Sequence, residues 1–145
     1  MGNKTVNVMF LCTANSCRSQ MAEGLARHLG KGVVEPYSAG LFAFHVHPKA
    51  IHVMKEIGID ITGQTSKALE IEMLKDMNVL VTLCEHAESS CPAVPPVIKR
   101  LHWPIRDPVG TVGTENEIMN DFRRARDEIK DRIERYINTI KKRSA

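Results

Sequence analysis

Short apolar runs alternate along the chain with longer stretches in which apolar residues recur every three or four positions. The short runs, rich in β-branched residues, predict four β-strands over 5–11, 33–38, 78–83 and 99–103. The longer stretches predict helices over 19–30, 48–57, 69–74 and 115–142. Two remaining segments, 84–96 and 104–114, are predicted to be loops, the first because it is long and ends in prolines.

Strands that alternate with helices are typical of an α/β domain. Because crossovers between parallel strands are right-handed, we predict a single three-layer domain over 1–145, with a four-stranded parallel sheet and helices on both faces. Functional sites in such sheets lie at the carboxyl ends of the strands. Cys12, Cys84 and Asp107 each follow a predicted strand, so we expect these three side chains at one edge of the sheet.

The composition is that of a globular protein, with 43% hydrophobic and 26% charged residues in a chain of 145. No apolar run approaches the length of a membrane span, and the run before residue 12 is too short for a signal-peptide core. We therefore expect a cytoplasmic protein with no membrane partner. No apolar surface stripe remains once the predicted core is assigned, so we expect a monomer.

The net charge of +3 has its source at the C-terminal end of the chain. Residues 121–145 hold nine Lys or Arg against five Asp or Glu, a net +4, which leaves −1 on the rest. No nucleic-acid-binding motif and no interleaved aromatic residues accompany these charges. The pattern favours a solvated helix face over a nucleic-acid-binding surface.

The loop between the first predicted strand and the first predicted helix carries the strongest chemical signal. Residues 11–19 read Leu-Cys-Thr-Ala-Asn-Ser-Cys-Arg-Ser. The N–H groups of such a loop, with a helix N-terminus behind them, form a cradle for an anion. The helix terminus and Arg18 favour the thiolate of Cys12, and the guanidinium can hold two oxygens of a tetrahedral oxyanion. The loop therefore predicts a nucleophile and an anion clamp, whereas a lone cysteine here would be read as a buried strand end.

The other loop residues are assigned to oxyanion binding and loop support. They are Thr13, Ala14, Asn15, Ser16, Cys17 and Ser19. Asn15 tolerates left-handed backbone geometry, so we expect it to shape the loop. Cys17 is expected to be buried and to be a site of off-pathway oxidation.

Two further thiols, Cys84 and Cys91, lie seven positions apart. Four cysteines in a chain without an export signal favour catalytic, redox or metal roles over structural disulfides. If the segment were helical, its ends would be roughly 10 Å apart, too far for a disulfide, so a Cys84–Cys91 bond would require it to bend or unwind. Neither these thiols nor the nearby histidines match a common zinc spacing, so we predict no metal site.

Cys12-x5-Arg18-Ser19, followed by Gln-Met-Ala-Glu-Gly, resembles the low-molecular-weight tyrosine phosphatase family. More closely, together with Cys84 and Cys91, it resembles the thioredoxin-coupled arsenate reductases built on that fold. The resemblance covers most of the chain. It implies a low-molecular-weight phosphatase-like domain, of the Rossmann or flavodoxin-like kind, that acts in arsenic detoxification.

The resemblance also implies a three-cysteine relay. In it Cys12 attacks arsenate, Asp107 protonates the departing oxygen, and Cys84 attacks the Cys12–arsenic adduct and releases arsenite. Cys91 then carries the disulfide outward to thioredoxin or a similar dithiol. Ser19 would donate a hydrogen bond to the Cys12 thiolate, and its alternative role is that of a helix N-cap.

Other readings of the same residues stay open. A phosphatase of this fold would usually carry Tyr after Asp107-Pro108, and this chain continues with Val109-Gly110. A tyrosine phosphatase whose distal cysteines protect the nucleophile is therefore an alternative, and so is a thiol-based redox or metal sensor. The Asp-Pro pair also fits simple turn chemistry.

Some relatives bind a monovalent cation beside the loop. Glu23 and Ser38 fit that pattern, but Lys67 stands where an acidic ligand would be expected. We therefore predict no cofactor.

Overall fold

Four parallel β-strands form the centre of the structure, a computed structural model that describes residues 5–144. The strands are β1 (Val6–Cys12), β2 (Val34–Gly40), β3 (Val79–Thr82) and β4 (Lys99–His102), in the order β2-β1-β3-β4. The helices are α1 (Arg18–Leu29), α2 (Pro48–Lys55), α3 (Glu85–Ser90) and α4 (Glu115–Ser144), with a 3₁₀ turn over Ile71–Leu74. The predicted domain, 1–145, extends beyond the described residues at both ends.

The predicted α/β fold is confirmed, and one predicted loop is wrong. All four predicted strands and all four predicted helical segments are present, with ends that differ by a few residues. Segment 84–96 was predicted to be a loop, but its first part forms α3. Six residues are too few to give a clear helical period, and the contacts that stabilise α3 come from distant strands.

The core explains why the first strand reads as an unbroken apolar run. From Val8 to Leu11 every side chain of β1 is at most 2% exposed, because β1 lies inside the sheet and is covered on both faces. α1 packs against β1, β2 and α4, and α3 packs against β1 and β3. Buried isoleucines along α4 complete this core, as the helical spacing predicts.

The strand order determines where a site can form. From β1 the chain moves outward to β2 and then crosses back over β1 to β3, so the connections diverge between β1 and β3. A crevice opens at such a switch point, outside the carboxyl ends of the strands. Cys12 ends β1, and Cys84 lies two residues beyond β3. Both thiols are thus at the expected edge.

The longest helix, α4, runs for 30 residues with a charged outer face. Within residues 5–144, no helix combines the length and the apolar character needed to cross a membrane.

Two arginines of α4 bind Glu56, which lies just after α2. Arg123 Nη2 lies 2.7 Å from Glu56 Oε2, and the buried Arg126 donates to both Glu56 Oε1 and the Val53 carbonyl at 2.9 Å. These contacts join α2 to α4.

Replacing Glu56 with glutamine should destabilise the fold in a pH-dependent way. Hydrogen bonds from Arg123, opposed by partial burial and supported by Arg126, lower the pKa of Glu56 from 4.5 to about 2. A lowered pKa stabilises the folded state above the ordinary pKa, and this contribution is lost as the pH falls toward 2. Chemical denaturation should show a loss of about 1 kcal/mol at pH 7, a value reduced for solvent screening. The difference between variant and parent should shrink below pH 4.5. An equal difference at pH 7 and pH 3 would contradict this account.

Candidate active site

Residues 12–18, which we call the oxyanion loop, turn sharply between β1 and α1. α1 begins at Arg18, one residue earlier than predicted, and Cys17 rather than Ser19 is its N-cap. The loop is tied to the segment after β2, since the Leu41 N–H donates to the Thr13 carbonyl at 2.8 Å and the His47 N–H to the Ser16 carbonyl at 2.9 Å. The main chain around the predicted nucleophile is therefore fixed from outside the loop.

The last residue of β2 lies directly against the oxyanion loop. A Cβ at Gly40 would be 2.6 Å from the Asn15 nitrogen and 2.8 Å from the Ala14 carbonyl carbon. Contacts this short with main-chain atoms are not relieved by a side-chain rotation, so only glycine fits. Asn15 itself has φ +48°, which confirms the predicted left-handed conformation.

A chain of hydrogen bonds ends on the sulfur of Cys12. The side-chain oxygen of Asn15, Oδ1, accepts from the Lys67 N–H at 2.8 Å. Its side-chain NH₂ therefore donates, to Ser19 Oγ at 2.7 Å and to Ser38 Oγ at 3.0 Å. Ser19 Oγ accepts this bond and lies 2.8 Å from Cys12 Sγ. Its own proton is therefore available for a hydrogen bond to a Cys12 thiolate.

Removing this last donor should slow the chemistry of Cys12. A hydrogen bond to a charged group contributes about 1.5–3 kcal/mol, so Ser19→Ala should reduce the rate of Cys12 alkylation by iodoacetamide about 10–100-fold at neutral pH. Ser19→Thr, which keeps the hydroxyl, is the conservative control. Equal alkylation rates for Ser19→Ala and the parent protein would show that Ser19 has only a structural role.

Arg18, the predicted anion clamp, is held in place by the segment that follows β4. Arg18 is 7% exposed; its Nη1 donates to the Ile105 carbonyl at 3.0 Å, and its Nη2 lies 3.3 Å from Asp107 Oδ2. The Asp107 side chain is 46% exposed and also accepts from the Val109 N–H at 2.9 Å. The structure thus brings Asp107 to the oxyanion loop. The hydrogen bond from Val109 is that of a simple turn, so the alternative role of the Asp-Pro pair is present as well.

One cavity of about 510 Å³ joins these groups. It is lined by Cys12, Arg18, Cys84 and Asp107, with Phe44 and His47 at its rim. Hydrogen bonding of His47 Nδ1 by the Lys49 N–H fixes its ring, and burial, aided by Lys49, lowers the pKa of His47. Among the described residues that line this cavity, Arg18 is the single Arg or Lys.

The second and third thiols lie at opposite ends of α3. Cys84 is its N-cap, with Sγ accepting from the Ala87 N–H at 3.3 Å and lying 3.3 Å from Thr13 Oγ1. Cys91 is the C-cap and is half-buried, and burial raises the pKa of its thiol. Because the intervening residues are helical, the two sulfurs cannot form a bond in this conformation. As predicted for a helical segment, a Cys84–Cys91 disulfide would therefore require residues 85–90 to bend or unwind.

Cys17 is buried, as predicted, at 4% exposure. Burial, with the negative charge of Asp107 nearby, raises the pKa of Cys17 well above its usual range. A thiol held in its protonated form is a poor nucleophile. Cys17 therefore differs in chemistry from Cys12, although both belong to the same loop.

Several supporting residues were not identified from the sequence. Gln20 Nε2 donates to the Asn15 carbonyl at 3.0 Å, and Ser66 Oγ donates to the Ala14 carbonyl at 3.1 Å. Gln20 belongs to the quoted motif and could have been assigned. Ser66 gives no sequence signal, because only the fold brings its segment to the loop.

Glu23, Ser38 and Lys67, considered above in connection with a monovalent cation, all bind other groups of the chain. Glu23 accepts from Ser38 Oγ and pairs with Arg27 at 2.8 Å, and Lys67 Nζ donates to the Thr65 carbonyl at 2.7 Å. Across residues 5–144, no three His, Cys, Asp or Glu side chains come together as a metal-binding group. That the protein needs no cofactor stays a prediction.

Comparison with known proteins agrees with this fold. A family model described as low molecular weight phosphotyrosine protein phosphatase matches residues 7–145. An arsenate reductase of Halalkalibacterium halodurans is 48% identical over 139 residues, which is 96% of this chain and 99% of that protein. A solved arsenate reductase in its phosphate-binding state superposes with a TM-score of 0.76 at 40% identity, over 94% of this chain and 99% of the other. A thioredoxin-dependent arsenate reductase of Corynebacterium glutamicum gives 0.73 at 26% identity, over 97% of this chain and 64% of the other.

Proposed function

This chain belongs to the low-molecular-weight phosphotyrosine protein phosphatase family, and from that premise we propose that it is an enzyme that reduces arsenate to arsenite. The proposed relay uses Cys12 as nucleophile, Cys84 as the second thiol and Cys91 as the third. A thioredoxin-type dithiol is the proposed electron donor, and the cytoplasm, where thiols stay reduced, is the proposed location.

The observation that carries the proposal is the position of Cys84. Its sulfur lies 3.3 Å from Thr13 Oγ1, in the residue next to Cys12, and both thiols line one cavity with Arg18. A phosphate ester hydrolase needs a nucleophile, an anion clamp and an acid, and its reaction does not oxidise a second thiol. Reduction by two electrons needs two thiols.

The relay balances as follows. Cys12 attacks arsenic, an arsenic–oxygen bond breaks, and the oxygen leaves as water after protonation by Asp107. Cys84 then attacks the Cys12 sulfur, and arsenic leaves with the electron pair as arsenite. Cys91 attacks Cys84, which frees Cys12 as a thiol and moves the disulfide to Cys84–Cys91. A dithiol then reduces that disulfide and replaces the two electrons that the thiols gave to arsenate.

A count of free thiols tests the relay. Fully reduced protein is treated with one equivalent of arsenate without oxygen, and disulfides are then mapped by mass spectrometry. We expect two thiols to be lost, both mapped to Cys84–Cys91, while a Cys12→Ser protein should lose none. Two thiols lost in the Cys12→Ser protein as well would contradict a role for Cys12 as nucleophile.

Hydrolysis of aryl phosphates is the second candidate. Arsenate and phosphate have the same shape and charge, and Phe44, 64% exposed, offers an apolar surface at the rim of the cavity. Turnover of a phenyl phosphate together with no thiol loss on arsenate would move the assignment to a phosphatase. In that case Cys84 and Cys91 would have no catalytic role.

A further inference from the structure

The helix between Cys84 and Cys91 has little apolar anchorage. Among the six residues of α3, only Ala87 is buried. A helix this short is not stable by itself, so contacts with the rest of the protein must hold it. Those contacts decide how readily α3 opens.

The C-terminal half of α3 is held by Arg100 of β4. Its Nη2 donates to Glu88 Oε1 at 2.9 Å and to the Glu88 carbonyl at 3.1 Å, so one guanidinium binds both the side chain and the main chain of the helix. Thr82 Oγ1 of β3 lies 2.9 Å from the same carboxylate oxygen. The hydrogen bond from Arg100, aided by Thr82 and opposed by partial burial, lowers the pKa of Glu88. Glu88 is therefore an anion that receives two donors.

The N-terminal half of α3 is held by His102, also on β4. Its Nε2 lies 3.0 Å from Glu85 Oε1, and its Nδ1 lies 2.8 Å from Thr82 Oγ1. Thr82 Oγ1 thus contacts both His102 and Glu88, and His102 reaches Glu85 through its other ring nitrogen.

The spacing of these four side chains matches the geometry of their elements. Arg100 and His102 are two residues apart on a strand and project from the same face. Glu85 and Glu88 are three residues apart on a helix and lie on one side of it. The two rows face each other, and we call them, with Thr82, the α3 clamp. The contacts that the strand residues of the clamp make with Glu85 and Glu88 depend on the helical spacing of these two residues.

We propose that the α3 clamp is a positioning device that keeps Cys84 and Cys91 apart in the reduced protein and thereby controls how easily they form a disulfide. This inference rests on the proposed relay. Because the disulfide requires α3 to unwind, the clamp stabilises the dithiol and disfavours the oxidised form. A weaker clamp should therefore make the disulfide easier to form and harder for the dithiol donor to reduce.

The reduction potential of the Cys84–Cys91 pair tests the proposal. The full chain with Cys12→Ser is equilibrated in mixtures of oxidised and reduced dithiothreitol, and the oxidised fraction is mapped after alkylation. Oxidised dithiothreitol takes the two electrons and two protons of the pair. We expect Glu88→Gln and Arg100→Met each to raise the equilibrium constant for disulfide formation about tenfold, which lowers the potential by about 30 mV.

The matched control is Glu134→Gln, which removes an acid from an exposed i,i+4 pair with Lys130 on α4. It should leave the potential unchanged. Unchanged potentials in both clamp variants, or equal shifts in the control, would overturn the clamp while leaving the relay intact. Failure of the Cys12→Ser parent to form any Cys84–Cys91 disulfide would overturn the relay and the clamp together. Both clamp side chains are about a third exposed, so these variants should fold.

Discussion

Replacing Cys91 with serine limits the protein to a single turnover of arsenate. The first two steps need only Cys12 and Cys84, so one equivalent of arsenite forms and these two cysteines remain joined. No third thiol is then available to carry the disulfide away from the buried cavity. Steady-state production of arsenite with a thioredoxin-type dithiol should fall about a thousandfold or more. Mass spectrometry should find the Cys12–Cys84 bond in the stalled protein.

A suitable control lies one residue away. Ser90 is exposed in the last turn of α3, so Ser90→Ala changes the same segment without removing a thiol. It should turn over arsenate at the parent rate. Sustained turnover by Cys91→Ser would mean that the external dithiol attacks Cys84 directly, and Cys91 would then have no place in the relay.

Replacing Arg18 with lysine lowers kcat/KM for arsenate about 10²- to 10³-fold. Lysine keeps the charge but has no planar fork, so it cannot bind two oxyanion oxygens while Asp107 and the Ile105 carbonyl hold it in place. Steady-state kinetics at several arsenate concentrations separate the loss in kcat from the change in KM.

Arg106 provides the comparison for this substitution. It is 67% exposed, pairs with Asp121 at 2.7 Å and does not line the cavity. Arg106→Lys should therefore leave kcat/KM nearly unchanged. A similar loss in both variants would show that the effect comes from a general loss of stability rather than from the planar guanidinium of Arg18.

The oxyanion loop could be predicted from the sequence because nearly all of its chemistry is local. Cys12 and Arg18 lie within seven consecutive residues, and the strand before them and the helix after them have clear periods. The left-handed conformation of Asn15 follows from its side chain and its place in a tight loop. The partners that orient the Asn15 side chain are different, since Ser38 and Lys67 are distant in sequence and reach the loop only through the fold.

α3 could not be predicted for the opposite reason. Its six residues contain a single buried apolar side chain, so no hydrophobic period identifies it. Its contacts come largely from Arg100 and His102, which lie on β4. The pairing of β3 with β4 sets the position of these two residues relative to α3. The sequence was enough to show that a helix would keep Cys84 and Cys91 too far apart for a disulfide, but not to show that the segment between them is helical.

The close approach of β2 to the oxyanion loop also limits how this sequence can diverge. Position 40 is closed to every side chain, since even a methyl group would meet the main chain of Ala14 and Asn15. Phe44, four residues further on, is 64% exposed and lines the cavity. A change of side chain there would therefore alter the entrance to the cavity, and with it the range of molecules admitted, without disturbing the main chain that surrounds the anion.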